Sequence, residues 1–292
     1  MVKSIHFICP GGGIRGCFQA GFLYELFTKY KNFFEIYRID GTSVGSINGF
    51  ITLLGEYEKL KENWLNIKNI NDFFGNWSNT PFINRLSNFY YGFYYGFYNS
   101  GLYDNSVLKN KITNITKKKL ENIDKKILDK FSCPVVCIND SKLYYINGSN
   151  VNIINYITAS ASPWCLTNPV EINNKLYTDG SLLETYPIKH INKDADITLI
   201  VGFDQEIINF EEPKCDNLIN LLLTMIDITR VNSQNTEKIL EYIKKGTCIP
   251  VMNTMNCLFT DFNEDIINIG FNQGKEAAEV FYRTYLQLLI KN

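Results

Sequence analysis

The first fifty residues spell one unit twice: a short apolar run, a glycine turn, then a helical pattern. Residues 5–9 are apolar and β-prone, which predicts a buried strand. Pro10 and Gly11, Gly12 and Gly13 break it, and residues 14–30 follow with Phe18, Phe22, Leu26 and Tyr30 four apart. Residues 34–39 predict a second strand, closed by Asp40 and Gly41, and residues 44–54 a second apolar helix. Two consecutive strand–helix units imply parallel strands joined by right-handed crossovers. The expected fold class is therefore α/β, with a mainly parallel central sheet and helices on both faces.

Both turns lie where such sheets place their sites, at the carboxyl ends of strands. The first, Gly11-Gly12-Gly13-Ile14-Arg15-Gly16, opens a helix. Glycines let backbone amides face outward, and a helix N-terminus adds partial positive charge, so the turn is a candidate anion pocket. Three uses stay open. It matches GxGxxG, with Asp40 at the end of the next strand as a candidate ribose ligand. It could equally serve as an oxyanion hole, or be a tight turn with no ligand. A P-loop is excluded, because Cys17 follows Gly16 where that motif needs lysine.

The second turn is Gly41-Thr42-Ser43-Val44-Gly45, a G-x-S-x-G in the strand–turn–helix setting of a nucleophile elbow. Amides of the first turn, around Gly12 and Gly13, would then face Ser43. The dinucleotide alternative gives Ser43 no role and needs Asp40 free. A serine nucleophile requires a base. The chain has two histidines, His6 and His190. His6 lies inside the first strand and is expected to be a satisfied strand residue. His190 follows Asp179, giving the order Ser, Asp, His of α/β-hydrolases. Against that order, those enzymes place the nucleophile after several strands, and here it follows two.

Bulk properties narrow the class. Twenty-nine basic residues face 30 acidic ones in 292. The short run Lys117-Lys118-Lys119 is expected to be a solvated helix face, so nucleic acid is not an expected partner. Eight scattered cysteines without a CxxC pair suit a reducing compartment. No apolar run approaches bilayer length and no signal peptide is visible, so a cytoplasmic protein is expected. Residues 56–67, 102–120 (in part), 155–160, 218–245 and 275–290 read as helices. Residues 133–138, 143–146, 175–178 and 197–203 read as strands. No linker appears, so one domain spanning 1–292 is expected.

Taken together, these motifs resemble those of the patatin-like phospholipases. That family carries GGGxRG, matched from Gly11 to Gly16, then G-x-S-x-G, matched from Gly41 to Gly45. It also carries a late Asp-Gly pair, matched by Asp179 and Gly180 in KLYTDGSLLETYPI. Weaker echoes are Gly101-Leu102-Tyr103-Asp104, Ala159-Ser160-Ala161-Ser162 and the stretch from Gly270 and Phe271 to Ala278. The resemblance implies a three-layer fold and a Ser–Asp dyad without histidine, Ser43 attacking an ester carbonyl and Asp179 taking its proton. It implies an oxyanion hole drawn from Gly11, Gly12, Gly13, Arg15 and Gly16. Arg15 could instead pair with a carboxylate and fix the loop. Ser181 departs from the pattern, since the family has Gly or Ala after Asp-Gly.

The implied substrate is a lipid carboxylic ester, most often a phospholipid acyl chain. Peripheral membrane contact is implied, with no cofactor and no metal. Residues 89–98, FYYG-FYYG-FY, suit either a lid at a lipid boundary or ordinary core packing. Two alternatives stand beside the dyad: a Ser–His–Asp esterase using His190, and a catalytically silent lipid-binding protein. Head group, chain length, positional preference and oligomeric state are not set by the sequence.

Overall fold

The computed structural model describes residues 2–75, 101–191, 194–203, 236–253, 255, 257 and 259–287. The aromatic segment 89–98, read either as a lid or as core packing, and the first part of the expected helix 218–245 lie outside these residues.

The strands are β1 (Lys3–Cys9), β2 (Phe34–Gly41), β3 (Gly101–Tyr103), β4 (Phe131–Cys137), β5 (Lys142–Asn147), β6 (Cys165–Thr167), β7 (Val170–Ile172), β8 (Lys175–Asp179), β9 (Ile197–Phe203) and β10 (Ile249–Asn253). The helices are α1 (Gly16–Lys29), α2 (Val44–Leu53), α3 (Tyr57–Leu65), α4 (Ile70–Phe73), α5 (Ser106–Leu120), α6 (Lys125–Leu128), α7 (Ile153–Ser160), α8 (Thr236–Lys244) and α9 (Glu264–Phe281). Among the described residues the main sheet has eight strands, in the order β10-β9-β1-β2-β4-β8-β7, with β5 added to β4. The run from β10 to β4 is parallel, while β5, β7 and β8 pair antiparallel.

One detail of register positions the site. β5 pairs with residues 132–137 of β4, overlapping both β2, which pairs at Phe131 and Ser132, and β8, which pairs at Val135 to Cys137. A strand has two edges, so β2 and β8 must share the edge opposite β5. They run toward each other along it, and their carboxyl ends meet.

Strand alternation divides the core in two. Phe7, Leu199 and Val201 face the large cluster under α1, α2, α7 and α9, with Phe22, Phe50, Trp64, Phe131 and Phe281 among its buried members. Ile8 and Ile200 face the other way, into a smaller cluster with Tyr186 and Ile239 of α8. Helices thus cover both faces, as the twofold strand–helix pattern requires.

One expectation is corrected. The last helix begins at Glu264, not 275, capped by the Asn263 side chain, which accepts from the Ile266 amide at 2.9 Å. Gly270 and Gly274 look like breakers but are packing contacts. A Cβ on Gly274 would lie 2.0 Å from the Phe18 carbonyl, and one on Gly21 of α1 2.0 Å from the Phe271 carbonyl. Strands β3, β6, β7 and β10 carry no alternation long enough to announce them, being three to five residues each.

Candidate active site

Ser43 stands between β2 and α2 with φ +55° and ψ −130°, a conformation side chains rarely adopt. The turn can be this sharp because its neighbours are glycines. A Cβ on Gly45 would meet the Cys9 carbonyl at 2.0 Å, backbone against backbone. The Thr42 amide donates to that same carbonyl at 2.9 Å, tying the elbow to the end of β1. Strain here presents the hydroxyl at the top of the sheet rather than burying it along a helix.

Asp179 arrives from the opposite direction, as the last residue of β8. Ser43 Oγ donates to Asp179 Oδ2 at 2.7 Å across 136 residues of sequence. Ser43 is 6 % exposed and Asp179 4 %. The carboxylate is held in turn: the Ser181 amide donates to Oδ1 at 2.7 Å, and the Asp179 amide donates to the Ser162 carbonyl at 3.0 Å. Gly180 packs its α-carbon against β4, where a Cβ would lie 2.4 Å from the Pro134 carbonyl. The Ser181 hydroxyl is buried beside Gly11, with no hydrogen-bond partner among the described residues.

The glycine loop divides into amides already used and amides left over. Gly11 donates to the Thr185 carbonyl at 3.2 Å, Ile14 to Phe259 at 2.9 Å and Arg15 to Gly12 at 3.2 Å. The Gly16 amide donates back to Gly13 and Ile14. Among the described residues the amides of Gly12, Gly13 and Val44 have no hydrogen-bond partner. Gly12, Gly13 and Val44 also line the pocket over Ser43. Gly13 sits at φ +58°, tight under the Phe259 carbonyl. Gly11 and Gly16 spend their amides elsewhere, and Arg15, 2 % exposed, does not line the pocket.

Several supports carried little sequence signal. Ser160 Oγ accepts from the Ser43 amide at 3.1 Å and donates to the Pro134 carbonyl at 2.8 Å, pinning the elbow to α7 and β4. Trp64 donates to Asn48 Oδ1 at 2.7 Å. Asn48 Nδ2 donates to the Gly16 carbonyl at 2.9 Å and to Gln19 Oε1 at 3.0 Å. This buried chain locks the start of α1 to α2. The pocket over Ser43, about 50 Å³, is walled by Phe73, Phe74, Trp164, Leu166, Leu182, Phe259 and Phe262. The signal for Phe73 was a capping box, Asn69 and Asp72 closing the start of α4.

Neither histidine reaches Ser43. His6 Nε2 lies 2.9 Å from Asp40 Oδ2, and His190 Nδ1 lies 3.2 Å from both oxygens of Asp40. Arg38 Nε donates to Asp40 at 2.9 Å, and Ser132 Oγ donates to it as well. The His190 esterase alternative is therefore corrected: its ring is bound to Asp40, on the wrong carboxylate. The dinucleotide alternative fails on the same residue, since Asp40 is fully buried and its oxygens are occupied. Burial alone would raise the Asp40 pKa, but hydrogen bonds from His190 and His6 and the Arg38 charge outweigh it and hold the carboxyl well below the usual range. Cys9, beside the elbow, is no rival nucleophile, because burial pushes its thiol far up. Among the described residues no group of three or more His, Cys, Asp or Glu side chains could hold a metal ion.

A family model for patatin-like phospholipases matches residues 8–191, from β1 to just past the Asp179 turn. The chain belongs to the patatin-like phospholipase family. Both halves of the Ser43–Asp179 contact, and the glycine loop beside it, fall inside the matched region. No curated protein matches the chain. Among solved structures, the crystal structure of VipD from Legionella pneumophila is similar at 13 % identity and a TM-score of 0.47, over 96 % of this chain and 67 % of that one. Family membership gives this patatin-like chain a lipid acyl hydrolase background in general terms. No helix among its described residues is long and apolar enough to cross a membrane.

Proposed function

We propose that this patatin-like protein hydrolyses carboxylic ester bonds of phospholipids or related lipids through a Ser43–Asp179 dyad, working at a membrane surface. The observation that carries the reading is the 2.7 Å hydrogen bond from Ser43 Oγ, on a strained elbow, to a buried carboxylate. Asp179 takes the hydroxyl proton as Oγ attacks the acyl carbonyl carbon. The negative charge that develops on the carbonyl oxygen is met by the amides of Gly12 and Gly13, with Val44 beside them and two helix N-termini behind. Collapse breaks the ester bond and Asp179 returns its proton to the departing alcohol. Water then attacks the acyl-serine, giving its proton to Asp179, and fatty acid leaves as Ser43 Oγ is reprotonated.

Asp is a weak base in water, with a pKa of about 3.9. What compensates is placement: the acceptor is already in hydrogen-bond contact, oriented by the Ser181 amide, in a pocket walled by aromatics. Those walls suit an acyl chain and leave few polar groups to bind a charged head group.

The test is release of fatty acid from phosphatidylcholine vesicles in EDTA, read by mass spectrometry. Ser43→Ala and Asp179→Asn are each expected to lower turnover by about 10³-fold or more. His190→Ala is expected to keep it. Release by the wild type that survives Ser43→Ala would sink the dyad, and absence of release from any lipid ester would leave a binding protein.

A further inference from the structure

On the flank of the sheet, away from Ser43, a cleft of about 500 Å³ opens between β2, the approach to β4 and the segment around residue 190. Its walls carry Arg38, Lys126, Lys130, Lys189 and His190 against one acid, Asp129. These cations come from three separate stretches of chain, so the concentration is made by the fold and is not a run in the sequence. Counting the buried Asp40 beneath Arg38 as well, four fixed cations face two carboxylates, a surplus of two before His190 is included. The chain as a whole carries a formal charge of −1.

The three lysines are also uncommitted. Among the described residues none of Lys126, Lys130 or Lys189 has a carboxylate within ion-pair distance. Lys130 Nζ donates to the Ile36 carbonyl at 2.7 Å, which fixes it in place without neutralising it. Lys189 Nζ stands 5.0 Å above the Tyr145 ring, a cation–π contact that likewise leaves the charge unpaired. Asp40, by contrast, is matched on every side by His6, His190, Arg38 and Ser132. A concave site with several unmatched cations attracts a compact anion of high charge.

We propose that this cleft binds a phosphate-bearing anion, a second site separate from the pocket over Ser43 and independent of the reaction there. The phosphate could be carried by a lipid head group or by a free phosphate compound, and the two sources separate experimentally.

The experiment uses the full chain as Ser43→Ala, so that no lipid is consumed. Inorganic pyrophosphate is titrated calorimetrically, and retention is measured on phosphatidylcholine vesicles with and without phosphatidic acid. Lys126→Gln with Lys189→Gln is compared with Lys117→Gln with Lys118→Gln, which removes the same charge from the exposed face of α5. Saturable pyrophosphate binding is expected, weakened about 100-fold by the cleft pair, at about tenfold per lysine, and little changed by the α5 pair. Retention on phosphatidic acid vesicles that pyrophosphate competes away identifies a lipid head group, and pyrophosphate binding without retention identifies a free phosphate compound. Equal melting temperatures of the two double variants show that both fold. No saturable pyrophosphate binding, or equal weakening by the two pairs, overturns the proposal.

Discussion

At the scale of single residues, the site rests on side chains that do no chemistry. Ser160 is the sharpest case, because one hydroxyl serves the Ser43 amide and the Pro134 carbonyl together. Ser160→Ala leaves two buried backbone groups unsatisfied and should cost about 1–3 kcal/mol. Because one of those groups sets the elbow, the initial rate of ester hydrolysis should fall by more than the loss of folded protein explains. Rates normalised to folded fraction, measured by circular dichroism, check this. Asp40 makes a different prediction. Its folded pKa is depressed, so its network contributes stability above the unfolded value of about 3.9, and that stability is lost as pH falls toward the folded value. Asp40→Asn should destabilise the protein by about 3–5 kcal/mol near neutrality. The gap between wild type and variant in urea unfolding should shrink below about pH 4. A gap that widens toward acid pH would contradict this account of Asp40.

At the scale of elements, glycines decided both what could be read and what could not. Those of the two N-terminal turns follow apolar strands and precede helices, so both strand–helix units and the position of Ser43 were legible. Gly270 and Gly274 follow no such logic; they lie inside α9 because α1 crosses it with backbones nearly touching. Their meaning depends on a partner helix 250 residues away, which periodicity within one segment cannot show. The same holds for Ser160 and Phe259, which matter through contacts made in three dimensions. Asp179 was legible only through family resemblance, since an Asp-Gly turn is common. A direct test of the helix crossing is Gly274→Val. The added side chain would meet the Phe18 carbonyl and the Phe22 amide, neither of which can swing aside. Loss of about 1–3 kcal/mol in urea unfolding is expected. Gly246→Ala, where nothing lies within 4 Å but φ is +67°, should cost less, about 1 kcal/mol.

For the whole molecule, the arrangement of β2 and β8 on one edge of β4 has a consequence in time. The serine is made early and its carboxylate 136 residues later. At about 5–20 residues per second of synthesis, a nascent chain carries Ser43 for on the order of ten seconds before Asp179 exists. On the proposed dyad, Ser43 has no base during that interval. A truncated product ending before β8 would lack that base too, so on the proposed reading the edge that joins the two strands also sets the moment at which the site is completed.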